Sequence, residues 1–216
     1  MAQVTMYPEY DAQVSRIEGG SYASCVSGDG TLSLTTIHQV GVTHFPLVMR
    51  VYSRFDTTSI PTSATITSAT IKRYMYDSDG TTTSGETIKA FQSDDLSSDD
   101  ASLYQSFTST DSDTTIDVGT AVEWKTFTID GDLLTYLQTQ VTAGNKTAVI
   151  LRNQMDYDVI TPSVVEVKRF YGLDDDDVSG EDYRPYLTVN YTTGTPVKLK
   201  LNSGVLRVKG GKLTIG

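Results

Sequence analysis

Along most of the chain, apolar or aromatic residues recur at every second position, the period of a strand with one buried face. These runs predict strands over 13–18, 31–37, 45–55, 64–76, 87–92, 122–129, 147–153, 164–171 and 186–191. The opening residues, Met1 to Tyr7, enter the same alternation directly. Turn formers separate the runs: Ser27-Gly28-Asp29-Gly30, Asp77-Ser78-Asp79-Gly80 and the polar stretches 93–100 and 109–113. The run 147–153 is nearly continuous in apolar residues, which predicts a central strand. Strands at this spacing, without βαβ alternation, indicate an all-β, jelly-roll-like β-sandwich.

One segment breaks the period. After Asp130-Gly131-Asp132, the residues Leu133, Leu134, Leu137 and Val141 recur at helical spacing, with Tyr136 alongside and Gly144-Asn145 as a stop. A short helix of about three turns is expected there, with Asp132 as its cap, plugging one open end of the sandwich.

Composition supports the same class. The 216 residues include 53 Ser and Thr, and 21 Asp against 6 Glu, a balance that favours strands and turns over helices. The length fits one β domain. A net charge of −10 repels phosphate and argues against a nucleic-acid partner. One Cys and two His exclude a disulfide scaffold and leave too few soft ligands for structural zinc.

The charge is unevenly distributed. Residues 1–193 carry 12 basic and 27 acidic side chains, a net −15, whereas 194–216 carry five cations and no acid. This basic tail also alternates, with Val197, Leu199 and Leu201 on one face and Lys198 and Lys200 on the other. Leu206, Arg207, Val208, Lys209, Lys212, Leu213 and Ile215 follow around a turn at Gly210-Gly211. Such short strands cannot stand alone in water and are expected to add to a sheet of the body or of a neighbouring subunit. The chain therefore divides into a sandwich over 1–193 and a docking tail over 194–216, joined by Thr193-Gly194-Thr195-Pro196.

The phrase Arg54-Phe55-Asp56-Thr57-Thr58-Ser59-Ile60-Pro61, followed by Ala64-Thr65-Ile66-Thr67-Ser68-Ala69-Thr70-Ile71, resembles the DNRLRE-type β-sandwich domain. The later order is also similar: Trp124-Lys125-Thr126-Phe127-Thr128-Ile129 before a helix, a strand containing Val149-Ile150-Leu151-Arg152, and the closing Arg184-Pro185-Tyr186-Leu187-Thr188-Val189-Asn190-Tyr191. The resemblance covers roughly 8–193 and leaves the tail unexplained. It implies a carbohydrate-binding-module-like domain, as found in secreted polysaccharide-degrading enzymes and in bacteriophage structural proteins.

Physically, the shared residues are structural. Phe55, Ile60 and Ile66 are expected in the core, Pro61 at the corner between sheets, and Arg184 extended before Pro185 at the start of the last strand. A motif of this kind specifies a fold more than an activity.

Catalytic chemistry finds little material. No Ser/His/Asp or Cys/His arrangement with a local signature is present, and His38 and His44 on one strand would stand about 20 Å apart. Cys25 reads as a buried small residue or a spectator. The chain is expected to be no enzyme and to need no cofactor, with Ca²⁺ the one candidate metal. Carboxylate donors for it are Asp174, Asp175, Asp176 and Asp177, besides pairs at 94–95, 99–100 and 111–113, although none has the spacing of a defined calcium loop. For sugar contacts the candidates are Tyr157, Tyr171 and Tyr183, next to polar loops.

A sequence starting at Met with no signal segment and no apolar run of membrane length fits a protein assembled in a host cytoplasm and released by lysis. The expected function is a non-enzymatic virion structural protein of a phage-like particle, a capsid decoration, head fibre or tail component held through its C-terminal tail and gripping glycans. Its expected partners are other virion proteins or copies of itself, and surface polysaccharide. The alternative is a carbohydrate-binding module attached to polysaccharide.

Overall fold

The computed structural model describes residues 1–17, 22–27, 31–37, 47–80, 87–93, 107–111, 116–153, 166–173, 182–194, 207–209 and 212–214. Strands dominate them: β1 (Ala2–Met6), β2 (Pro8–Ile17), β3 (Tyr22–Ser27), β4 (Thr31–Ile37), β5 (Leu47–Phe55), β6 (Ala64–Gly80), β7 (Thr87–Ser93), β8 (Phe107–Asp111), β9 (Ile116–Asp117), β10 (Glu123–Ile129), β11 (Thr147–Asn153), β12 (Glu166–Tyr171) and β13 (Tyr186–Thr193). The single α-helix among these residues, α1 (Gly131–Ala143), sits between β10 and β11. A separate hairpin joins β14 (Arg207–Lys209) to β15 (Lys212–Thr214).

All ladders are antiparallel and run in the order β1-β13-β6-β12-β4-β5-β11-β7-β8, with β10 on β6, β2 beside β5, β3 on β2, and β9 beside β7. One layer holds β1, β13, β6 and β10. The other holds β3, β2, β5, β11, β7 and β8. Their inner faces meet in one core containing Val51, Phe55, Ile71, Met75, Phe127, Val149, Phe170, Leu187 and Val189. The all-β, jelly-roll-like sandwich expected from the periodicity is the fold.

Strand β6 makes the connection between layers. Its first part pairs with β13 and β10 and its last part with β12, which in turn pairs with β4. Two bulges set its faces. At Thr67 an extra residue lets both Ile66 and Ala69 point inward, and the Thr67 hydroxyl donates to the Asn190 carbonyl. At Tyr76 a second extra residue shifts the register against β12.

That second bulge corrects the turn expected at 77–80. The strand continues to Gly80, because Arg169 pairs with the Asp77 carboxylate and Lys168 Nζ donates to Ser78 Oγ at 2.9 Å. Cross-strand partners outweigh the turn preference of Asp-Ser-Asp-Gly.

The family-like phrase folds as its chemistry requires. Phe55 and Ile60 are fully buried, Asp56 accepts from the Thr58 N–H to cap a 3-10 turn, and the buried Thr57 hydroxyl donates to the Asn145 carbonyl at 2.7 Å. The hydroxyl of Thr58 bonded to Asp56 holds that carboxyl below the usual range. Pro61 then lies on the connection from β5 in one layer to β6 in the other.

Helix α1 buries Leu133, Leu137 and Val141 against the core. Asp130, with extended backbone, occupies the N-cap. Asp132 lies inside the first turn, where it faces the positive end of the helix dipole and is not the cap. Gly144 closes the helix in the left-handed conformation (φ 70°), its N–H bonded to Val141 O while the Asn145 N–H bonds to Gln140 O. Gln138 does a strand's work. Its amide accepts from Ile66 N–H at 2.8 Å and donates to Ala64 O at 3.0 Å, just beyond the point where β10 leaves β6.

Between the layers lies a buried ion pair. Arg73 of β6 and Asp11 of β2 are both fully buried; Arg73 Nη1 donates to Asp11 Oδ2 at 3.2 Å, and its Nη2 contacts Asp11 Oδ1 and Ser53 Oγ. Ser53 donates to the same carboxylate at 2.7 Å.

Candidate functional site

The solvent-side face of β6 carries Thr70, Lys72, Tyr74 and Tyr76, alternating with the buried Ile71, Arg73 and Met75. Register then fixes the neighbours. Trp124 of β10 lies opposite Tyr74, Tyr186 of β13 lies opposite Lys72, and Tyr171 of β12 stands two residues beyond Arg169 on the same face. Six half-buried rings therefore converge: Tyr74, Tyr76, Trp124, Tyr171, Tyr183 and Tyr186.

Their packing is continuous. Tyr74 meets Trp124 edge-on at 5.5 Å between centroids and Tyr183 at 4.3 Å; Tyr171 stacks on Tyr76 at 4.6 Å and on Tyr183 at 5.1 Å; Trp124 meets Tyr186 at 5.4 Å. Offset and edge-on pairs of this kind are worth about 0.5–1.5 kcal/mol each beyond their area. They hold the rings together as one continuous surface.

Tyr183 belongs to no strand, so its place needs a separate anchor. Asp182 supplies it by accepting from Arg184 N, Nε and Nη2 at 2.9–3.1 Å and from the Tyr7 hydroxyl at 2.9 Å. The Arg184 guanidinium lies 4.0 Å from the Tyr7 ring centroid, a cation–π contact. Hydrogen bonds from Arg184 hold the Asp182 carboxyl down at about 2, and donation to Asp182 pushes the Tyr7 hydroxyl up. This knot fixes the stretch before β13 to the end of β1, while Pro185, buried, keeps it extended.

Two of the three tyrosines expected to meet sugar, Tyr171 and Tyr183, are thus brought into one cluster. Tyr157 lies outside the described residues. Trp124 and Tyr186 stand in the sequence only within the family-like phrases, and Tyr74 and Tyr76 only within the run 64–76; the signal that would have found them as a site is their position on the solvent face of runs whose alternate residues are core.

Of the tail, Val208 pairs with Leu213, Arg207 with Thr214 and Lys209 with Lys212; the expected turn at Gly210-Gly211 lies outside the described residues. Among the described residues this hairpin shares no ladder with the sandwich. Val197, Lys198, Leu199, Lys200, Leu201, Leu206 and Ile215 lie outside the described residues, as do His38, His44 and the candidate calcium donors Asp174 to Asp177. Cys25 lies on β3 opposite Val14. Among the described residues, no group of three His, Cys, Asp or Glu is placed to hold a metal ion, and no helix is long and apolar enough to cross a membrane. Comparison with protein-family models and with curated proteins finds no match.

Proposed function

We propose that this chain is a non-enzymatic surface module that grips polysaccharide through the aromatic face of β6, β10, β12 and β13. The observation that carries this reading is the convergence of six rings from separate parts of the chain on one solvent-side surface. Pyranose rings present apolar C–H faces and hydroxyl edges. Tyr and Trp match both, with a large apolar face and one polar group each. The sandwich supplies the rigidity that such a platform needs, and the resemblance to carbohydrate-binding-module-like domains points the same way. Affinity electrophoresis against a panel of polysaccharides tests the reading: retardation of the native chain is expected, and its loss in Trp124→Ala and Tyr183→Ala. Equal retardation of native and variant chains would overturn it.

A second reading concerns placement. The basic hairpin with its alternating approach, set against an acidic body, favours a segment that docks on another surface by strand addition. In a phage-like particle residues 194–216 would attach the sandwich. Removing 194–216 is expected to leave the melting of the sandwich unchanged and to abolish incorporation; a truncated chain that still incorporates would refute it.

A further inference from the structure

The face bearing the rings continues beyond them, and its continuation is polar in a specific way. Below Trp124–Tyr74, register places Thr126–Lys72–Tyr186 in one row, Thr128–Thr70–Thr188–Thr5 in the next across four strands, and Ser68–Asn190–Gln3 in the last. Every residue of these rows is exposed or half-buried. Lys72 is the one charged side chain among them.

The rows are bonded side by side. Gln3 Nε2 donates to Asn190 Oδ1 at 3.0 Å, Asn190 Nδ2 donates to Ser68 Oγ at 3.0 Å, and the Thr5 and Thr188 hydroxyls lie 3.2 Å apart. These bonds fix rotamers in advance without exhausting the groups. A serine hydroxyl that accepts one bond keeps its own proton to donate, and an amide keeps its second N–H and a lone pair. Sugar hydroxyls, each both donor and acceptor, need neighbours of this kind, and side chains already held in place lose little entropy on binding.

Resting on the glycan reading above, we infer that the binding site is an extended groove-free track for a linear polysaccharide chain. The rings take one end, and the Thr and Ser-Asn-Gln rows take the following sugars. From Tyr74 to Ser68 the strand rises about 20 Å, the length of about four linked pyranose units. A terminal sugar or a disaccharide would cover the rings alone.

Isothermal titration with cello-, manno-, xylo- and oligogalacturonide ladders of two to eight units tests this on the full chain. For the ladder that binds, affinity is expected to rise at least tenfold from the dimer to about the tetramer and then level off. The double variant Ser68→Ala with Asn190→Ala should remove that gain and leave dimer affinity within about twofold, while Trp124→Ala should weaken every length. Affinity independent of length, or a length gain that survives the Ser68/Asn190 double variant, would overturn the extended track and leave the aromatic site standing. Absence of binding across all four ladders would overturn both.

Discussion

Asp11 and Arg73 give the sharpest test of how the two layers hold together. Both side chains are fully buried, and Ser53, 3% exposed, completes the contact. Removing only the carboxylate, in Asp11→Ala, leaves a guanidinium in the core with one hydroxyl for company. Breaking a buried pair in this way costs about 3–5 kcal/mol, a large part of a domain's typical ~5–15 kcal/mol. Replacing both partners by apolar groups removes two desolvation penalties along with the attraction. Asp11→Ala with Arg73→Met is therefore expected to be more stable than Asp11→Ala alone, with a coupling of at least ~2 kcal/mol across the cycle. Urea unfolding followed by Trp124 emission measures it; with a slope of about 1–3 kcal/mol/M, the single variant should shift the midpoint by roughly 1 M or more. Single variants costing under about 1 kcal/mol, or two effects that simply add, would refute the claim that this pair is desolvated and mutually dependent.

Two further perturbations probe the fold around the site. Gln138→Leu keeps helix propensity but strands Ile66 N–H and Ala64 O, so a loss of about 2 kcal/mol is expected in the same unfolding assay, against under ~0.5 for Thr139→Ala on the exposed helix face. Asp182 sets a pH dependence. Its folded carboxyl, at about 2, lies below the ordinary 3.8, so its stabilisation is full above about pH 4 and lost as pH falls through 2. With 38% of the side chain exposed, solvent screening limits this to about 1 kcal/mol. The stability gap between the native chain and Asp182→Asn should therefore close between pH 4 and 2, and a gap unchanged over that range would contradict the assignment.

Much of the sandwich was legible because its strands bury one face. The bounds of β4 and β11 match the alternating or continuous apolar runs residue for residue, and Leu133, Leu137 and Val141 mark the buried stripe of α1. Local preference misled where long-range partners decide. Asp77 to Gly80 has turn composition but is held in β6 by β12, a strand whose pairing residues lie about ninety positions away. β8 is polar after Phe107 and β9 has two residues, while β3 is six residues without strict alternation, so no period separates them from loops. The Asp11–Arg73 pair joins residues 62 apart and exists only once the layers face each other.

The candidate site shows the same division. Tyr171 and Tyr183 stood out by their polar flanks. Tyr74, Trp124 and Tyr186 come together only through the ladders of β6 with β10 and β13, and alternation alone does not say which solvent faces adjoin.

The chain has one tryptophan, and it sits in the ring cluster. Trp124 is therefore a built-in reporter for the central claim. Excited at the red edge, where only indole absorbs, its emission should change saturably as a retarding polysaccharide is added, with the same midpoint as the retardation itself. Tyr183→Ala should weaken both together. Retardation of the native chain with no change in Trp124 emission would place the sugar elsewhere on the protein and contradict the account.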